Sequence, residues 1–294
     1  MTIYDDFLII QNDRIPDSHC FYVYSIETLD FLYSFGSFGE SEDEYLAPRI
    51  SRSVDNEHFA VFDQRTRNIN LYNITNESAE LVERKNMNEP TKFPLQELSF
   101  VNDSVLLYLS VDNKVVSYNL NQESIVDTIQ FDTGIESYLG GEYSQSMDFF
   151  HFANYGNRIV TGHNFINRIT ANQSDDRGLF QTNVVSMTKE RPNNFNSSLY
   201  DNIYQYVYVY ASAENVFAQY SGYKFKTLQP FPMNMGKRHF DFLMEVYDWD
   251  LKPKVLLEFD NNIMTCVIDE ERKRIITWDP LEDLNYLLVY DYDI

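Results

Sequence analysis

The residues best able to do chemistry in this sequence are its five histidines, and their spacing argues against a metal centre. They are His19, His58, His151, His163 and His239. A zinc site recognisable from sequence has ligands at short, defined spacings. No His-x-x-x-His or Glu-x-x-His pair occurs here. His151 and His163 flank one predicted hairpin across which they can approach each other, but we expect both to be structural.

The sequence contains none of the motifs that build common hydrolase or nucleotide sites. It has no Gly-x-Ser-x-Gly elbow, no P-loop and no dinucleotide-binding fingerprint. A glycosidase needs only two carboxylates at a defined separation, but 45 Asp and Glu residues make a chance pair nearly certain. We therefore assign no catalytic, binding or metal-ligating residue from the sequence, and we expect no cofactor.

One acidic run is a candidate calcium loop. It spans Glu40 to Glu44, with four carboxylates in five residues. The run lacks the alternating oxygen ligands and the turn glycine of an EF-hand loop. We expect a solvated surface loop.

The composition excludes several classes of function. The chain of 294 residues carries 23 Lys and Arg against 45 Asp and Glu, a net charge of −22. Such a surface repels phosphate backbones and anionic lipid, so we expect neither nucleic-acid nor membrane-surface binding. No apolar run of 18 residues exists, so no transmembrane helix is predicted. The N-terminus has no signal peptide. The chain as given is therefore expected to be cytoplasmic, or periplasmic or lipoprotein-anchored if an export signal has been removed.

The elements that must position any site are short strands. Aromatic residues make up 16% of the chain, and they favour pleated, half-buried surfaces. Strands separated by Asn- and Asp-rich turns run almost throughout, so we predict strands over about half the chain and almost no helix. One strand carries the pattern apolar-x-apolar-Tyr-x-apolar. Its tyrosines are Tyr24, Tyr72, Tyr118, Tyr247 and Tyr290, with intervals of 48, 46 and 43 residues within the first three and the last two.

Four strands repeating about every 45 residues indicate a β-propeller. We predict one domain over residues 1–294, an all-β six-bladed propeller with four-stranded antiparallel blades, and seven blades as the alternative. A polar stretch, 172–202, is predicted to be an insertion on a rim of the ring. Blade 1 is expected to begin at its second strand, Phe7–Ile10, and the last blade to end on its third. Residues before Met1 would then supply the missing strand.

Two smaller features bear on the ring. Trp249-Asp250 and Trp278-Asp279 resemble the Trp-Asp dipeptide of WD40 blades, but the Gly-His partner at the proper distance is lacking, so WD40 proper is rejected. Cys20 and Cys266 lie in the predicted first and last blades, which are neighbours in a closed ring. A disulfide is possible if the protein is exported, and two separate buried thiols are favoured.

Residues 32–45 resemble a known family. Leu32-Tyr33-Ser34-Phe35-Gly36, followed by Gly39, Glu44 and Tyr45, is similar to the blade-ending segment of the TolB-like six-bladed propellers, an uncharacterised group common in Bacteroidetes. Ser41 and Glu42 replace the family's second Gly and its Pro. The resemblance covers about the first 130 and last 50 residues. It implies the six-bladed fold and brings no catalytic residues.

Two hypotheses of function follow. The first is a non-enzymatic binding module or scaffold that holds an unknown protein or small-molecule ligand at the propeller face. The alternative is a hydrolase or lyase acting on a carbohydrate or peptide, with carboxylates gathered at the central channel. In either case, we predict that Val23, Leu71, Val115, Val246 and Val289 point into the packing between blades.

Overall fold

The computed structural model describes residues 1–12, 19–41, 43–51, 58–87, 97–110, 114–130, 150–181, 185–190, 201–228, 242–263, 265–278 and 287–294. Strands account for 63% of these residues, and their α-helix is a single turn, α1 (Phe225–Leu228). The prediction of an all-β chain with almost no helix is confirmed. No helix among the described residues is long and apolar enough to cross a membrane.

Six sheets follow one another along the chain. The strands of the first three sheets are β1 (Thr2–Tyr4), β2 (Phe7–Gln11), β3 (His19–Ser25), β4 (Phe31–Phe38) and β5 (Glu44–Tyr45); β6 (Pro48–Ile50), β7 (Phe59–Asp63), β8 (Asn68–Ile74) and β9 (Ala79–Asn86); and β10 (Leu98–Asn102), β11 (Val105–Leu109), β12 (Val115–Asn119) and β13 (Ser124–Ile129). The strands of the last three are β14 (Phe150–Tyr155), β15 (Arg158–His163), β16 (Asn167–Gln173) and β17 (Val185–Glu190); β18 (Ile203–Ala211), β19 (Val216–Lys224), β20 (Leu243–Tyr247) and β21 (Pro253–Glu258); and β22 (Val267–Asp269), β23 (Arg274–Thr277) and β24 (Leu288–Asp291).

Each sheet is one blade, and the fold is an all-β six-bladed propeller. The predicted fold class and the choice of six blades over seven are confirmed. Four of the sheets have four antiparallel strands. The first sheet adds the short β5, which runs parallel to β4, and the sixth has three strands among the described residues.

The start of the first blade differs from the sequence prediction. We expected this blade to begin at its second strand, but β1 precedes β2 and pairs with it, Thr2 opposite Ile9. Three residues are too few to show a period, which is why the strand was missed. Asp5 makes the tight turn between the two strands with φ of 49°, a conformation that Asp tolerates better than most residues.

The tyrosine-marked repeat corresponds to the third strand of each blade. Tyr24, Tyr72, Tyr118, Tyr247 and Tyr290 lie on β3, β8, β12, β20 and β24. The fourth blade supplies the copy that the sequence pattern lacks, because β16 reads Ile-Thr-Ala-Asn where the others place tyrosine last. Asn172 therefore stands in the tyrosine position, and the long gap between Tyr118 and Tyr247 contains one blade rather than two.

The chain forms two compact units. The first comprises Met1–Ile129, Tyr155–Asn157 and Ser174–Phe180, and the second comprises Gln130–Asn154, Arg158–Gln173 and Gln181–Ile294. One propeller domain over the whole chain stays a prediction.

Two apolar clusters hold the first unit together, one on each face of its second sheet. Phe59 and Tyr72 pack against Phe21 of the first sheet. Phe62 and Leu71 face the other way and pack with the third sheet. Because side chains alternate between the faces of a strand, burial on both faces leaves β7 with no exposed residue.

The second unit repeats this arrangement around its fifth sheet. Val209 and Ala218 pack with Val160 of the fourth sheet, whereas Phe217 and Val246 pack with the sixth. The central strands of each unit are thus buried on both sides, as expected for a propeller blade.

The predicted inward positions are mostly confirmed. Val23, Leu71, Val115 and Val246 are buried, whereas Val289 is 40% exposed. The prediction for Val289 is wrong because β24 has a neighbouring strand on one side only among the described residues, so the side chain is covered less completely.

Part of the predicted insertion at 172–202 is blade structure. β17 pairs with β16 as the outer strand of the fourth sheet, while residues 182–184 and 191–200 lie outside the described residues. Its position on a rim stays a prediction. Within the first unit, the turn Ser174–Phe180 packs on the third sheet. Gly178, at φ of 93°, lies so close to Ser117 that a Cβ would sit 2.0 Å from the hydroxyl oxygen, and Phe180 donates its N–H to Asp127 at 3.0 Å.

Candidate functional site

The residues that carry the family resemblance build a turn. Glu44 folds back over Gly39, where a Cβ would lie 2.0 Å from the carboxylate, and it accepts the Ser41 N–H at 2.9 Å. That hydrogen bond lowers the pKa of the Glu44 carboxyl. Gly36, at φ of 66°, lies against the rings of Phe21 and Tyr45. The described part of the acidic run is therefore a self-capped loop.

A chain of polar groups runs from this loop into the interior, from the exposed Asp43 to the buried Tyr45 and Tyr72. The hydroxyl oxygens of Tyr45 and Tyr72 are 2.5 Å apart, and Asn70 donates to Tyr45 at 3.0 Å. Arg84 in turn donates to Asn70 at 3.0 Å and lies 3.6 Å from Asp43. Burial raises the pKa of both tyrosines. These groups satisfy one another and position the loop.

The described histidines and cysteines do not form a metal centre. His163 is fully buried beside Phe150, whereas His151 stacks on Tyr208. Burial lowers the pKa of His163 to about 3, so it is neutral at physiological pH. Cys20 and Cys266 are both buried, and neither forms a disulfide. Among the described residues, no three His, Cys, Asp or Glu side chains are grouped to hold a metal.

The two Trp-Asp dipeptides have local roles. Trp249 donates its indole N–H to the Ser212 carbonyl at 3.2 Å, and the Arg158 guanidinium lies 4.6 Å above its ring. Trp278 donates to Thr265 at 3.4 Å. Asp279 lies outside the described residues.

Several carboxylates in the interior hold the backbone. Asp63 is 2% exposed. One of its oxygens accepts the N–H groups of Arg65 and Thr66 at 2.8 and 3.1 Å, and the other accepts those of Leu46 and Ala47 at 2.7 and 3.4 Å. A buried carboxylate whose oxygens accept four backbone N–H groups has a structural role.

Asp269 and Glu270 do the same in the second unit. Asp269 pairs with Arg274 at 2.7 Å. Glu270 accepts the Ser212 hydroxyl at 2.6 Å and the Ala213 N–H at 2.9 Å. Asp269 is the last residue of β22 and Glu270 follows it, and both accept hydrogen bonds that stabilise turns.

Glu245 is the carboxylate with a different environment. Its Oε2 accepts the Tyr247 hydroxyl at 2.6 Å and the Tyr206 hydroxyl at 3.0 Å. The Asn167 amide lies 2.9 Å from the Tyr206 oxygen. Both rings are buried, whereas Glu245 and Asn167 are half-buried. We call these four residues the Glu245 cluster.

A second polar group lies at the β15–β16 loop and the start of β18. Asn164 donates its amide to Tyr204, and its carbonyl accepts the Gln205 N–H at 2.6 Å. The side-chain oxygens of Asn164 and Gln205 are buried and have no hydrogen-bond partner among the described residues. Phe225 of α1 stacks on Tyr204 at 5.3 Å.

The cluster is suited to hydrogen bonding rather than to nucleophilic chemistry. Burial raises the pKa of Tyr206 and of Tyr247, and the Glu245 carboxylate raises it further. Both phenols therefore stay protonated at neutral pH and orient the carboxylate. Glycoside hydrolysis commonly uses two carboxylates, and the cluster holds one. The group in the cluster that can accept hydrogen bonds from a ligand is the half-buried Glu245 carboxylate.

Raised tyrosine pKa values predict a loss of stability in alkali. Unfolded tyrosine titrates at about pH 10, below the folded values of Tyr206 and Tyr247. From that pH upward the unfolded state loses protons first, so the free energy of unfolding falls by up to about 1.4 kcal/mol per pH unit for each such group. Urea titrations at pH 7, 10 and 11 should show this fall, and Tyr206→Phe should make it less steep. Equal slopes for both proteins would contradict the assignment.

The sequence analysis did not single out Glu245, although a signal was present. In the tyrosine-marked pattern, the x position and the tyrosine are two residues apart and share one face of the strand. That position is polar in two copies, Asn70 before Tyr72 and Glu245 before Tyr247. In both, the polar side chain joins a buried tyrosine network.

The chain was compared with known proteins. No protein-family model matches it, and no curated protein matches its sequence. Its structure is similar to a member of the DUF4221 family from Bacteroides vulgatus, with a TM-score of 0.58, 14% identity and coverage of 97% of this chain and 90% of that one. At this identity the similarity shows the fold alone. Membership of the TolB-like family stays a hypothesis.

Two further structures align with lower TM-scores. One is the WD40 domain of coronin from Toxoplasma gondii, at TM-score 0.46 and 9% identity, covering 94% of this chain and 63% of that one. The other is KlAtg21 in complex with the coiled coil of AgAtg16, at TM-score 0.48 and 10% identity, covering 97% and 80%.

Proposed function

We propose that this propeller is a non-enzymatic binding module, and that the Glu245 cluster recognises a ligand rich in hydrogen-bond donors. The observation that supports this is the state of Glu245, a half-buried carboxylate oriented by two protonated phenols. A half-buried carboxylate acceptor favours an ammonium, a guanidinium or a polyol as ligand, and the net charge of −22 favours a cation.

The interior carboxylates weigh against the hydrolase or lyase hypothesis. Asp63, Asp269 and Glu270 are engaged by backbone N–H groups, arginines or a serine hydroxyl. A catalytic acid needs a proton or a substrate within reach. Among the described residues, these three carboxylates are used in hydrogen bonds and an ion pair that stabilise the fold.

Calorimetric titration with spermidine and with maltose tests this function. We expect spermidine to bind, and Glu245→Gln to weaken it about tenfold or more, as for one lost charge-assisted hydrogen bond. Glu258→Gln is the matched control, because Glu258 is exposed on β21 of the same sheet and carries the same charge. Equal weakening by both variants, no binding of either probe, or turnover of chromogenic glycosides or peptides would contradict the proposal.

A further inference from the structure

Among the described strands, none pairs with the outer edge of β24. In each of the other sheets a further strand lies outside the third one: β4, β9, β13, β17 and β21. β24 pairs with β23 on one side. No described strand pairs with its other side. An exposed row of backbone donors and acceptors is a template for another strand.

The register shows which backbone groups face outward. The Tyr292 N–H donates to the Lys273 carbonyl at 2.9 Å, and Tyr290 lies opposite Ile275. Backbone groups in an antiparallel pair alternate between facing the partner and facing away. Tyr290 and Tyr292 therefore point inward, and the N–H and C=O groups of Val289 and Asp291 point to the open edge.

The side chains at this edge define what it can accept. Val289 is 40% exposed, and Asp291 and Asp293 are exposed as well. Alternation along the strand places these three side chains on one face. A complementary strand would set an apolar residue opposite Val289 and a basic residue opposite each aspartate.

Charge distinguishes a partner from a second copy of this chain. Two copies each carrying −22 repel each other, and pairing through β24 would bring their aspartates together. A basic strand is attracted instead. We infer that β24 binds an extended, basic segment of a partner protein as an antiparallel fourth strand, the recognition mode known as β-strand addition. This inference does not depend on the Glu245 cluster.

A designed peptide can test the inference. The probe is acetyl-Thr-Lys-Thr-Lys-Thr-Val-Thr-amide with a fluorescent label, which in antiparallel register sets its lysines opposite Asp293 and Asp291 and its valine opposite Val289. The control peptide has the reversed sequence, with the same composition and charge but the wrong order. We expect fluorescence anisotropy to show tighter binding of the probe than of the control.

The matched protein variant is Val289→Pro. Proline removes the outward N–H at this position and exchanges one apolar side chain for another, whereas the inward groups that pair with β23 are kept. Edge strands tolerate proline at such a position. We expect the variant to bind the probe about tenfold or more weakly, as for one lost hydrogen bond. Glu258→Gln, which removes one exposed carboxylate from the fifth sheet, is expected to bind the probe as well as the unchanged protein does. Should Val289→Pro fail to fold, slowed hydrogen exchange at the amides of Val289 and Asp291 on adding the probe is the second test.

Three results would overturn the inference. The first is equal binding of the probe by Val289→Pro and the unchanged protein, which would mean attraction by charge alone. The second is no binding of the probe, or no slowing of exchange at the two amides. The third is a dimer that forms with rising concentration and is lost in Val289→Pro, which would make a second copy the occupant.

Discussion

Truncating Leu71 to alanine is expected to lower the free energy of unfolding by about 2–5 kcal/mol, the range for buried leucines. Leu71 is 7% exposed and belongs to the cluster that joins the second and third sheets of the first unit. Its removal leaves a cavity between two sheets that are each pinned by their own backbone pairing. Such a cavity can collapse only in part, so the lost contacts are not regained.

Asn73 provides the matched control for Leu71. It lies two residues further along the same strand, but its side chain is exposed. Asn73→Ala should cost about 0.5 kcal/mol or less. Urea titrations of both variants decide the matter. Small and equal effects would mean that β8 is not a core strand.

Replacing Asp63 by alanine is expected to destabilise the protein by about 3 kcal/mol, since hydrogen bonds to charged groups contribute about 1.5–3 kcal/mol and buried donors are left unpaired. Its carboxylate accepts four backbone N–H groups on two sides. Leu46 and Ala47 precede β6, while Arg65 and Thr66 follow β7. One side chain therefore fixes both the entry to the second blade and its first tight turn.

Asn119 is the control residue for Asp63, because it also accepts backbone N–H groups in a turn but is less buried. Its side-chain oxygen accepts the N–H groups of Asn121 and Gln122, each at 2.9 Å, but Asn119 is half-buried and water can replace it. Asn119→Ala should cost about 1 kcal/mol or less. Asp63→Asn should fall between the two, because an amide keeps one acceptor and turns a donor toward the other N–H groups. A cost for Asp63→Ala no larger than for Asn119→Ala would show that the four hydrogen bonds are not formed together.

The architecture was predictable because the residue pattern of one strand, the third of the blade, recurs along the sequence. The tyrosine pattern follows the third strand of five blades, where burial on both faces constrains residue type at every position. The third strand of the fourth blade was not recognised in the sequence because Asn172 replaces the tyrosine. The tyrosine pattern reflects which side chains the third strand buries. In the fourth sheet the buried side chain at that position is Asn172, whose amide donates to the Gln181 carbonyl at 3.1 Å.

The candidate site was not predictable to the same degree. The Glu245 cluster depends on Tyr206, which lies 39 positions away and is brought near by the pairing of β18, β19 and β20. Contacts across strands leave no local period in a sequence. Val289 shows the reverse case. Its pattern is that of a core strand, but its side chain is 40% exposed because β24 is paired on one side only among the described strands.

The turn Ser174–Phe180 has a consequence for synthesis on the ribosome. It belongs to the first compact unit, although the residues on both sides of it belong to the second. Asn102 donates to the Asp176 carbonyl at 2.9 Å, and Asp127 accepts the Phe180 N–H. The ribosome therefore synthesises the first three sheets before the turn Ser174–Phe180, which packs on the third of them. The nascent chain must extend to residue 180 before the contacts of this turn can form. A fragment that stops at Ile129 would keep its two apolar clusters and lose this closing turn.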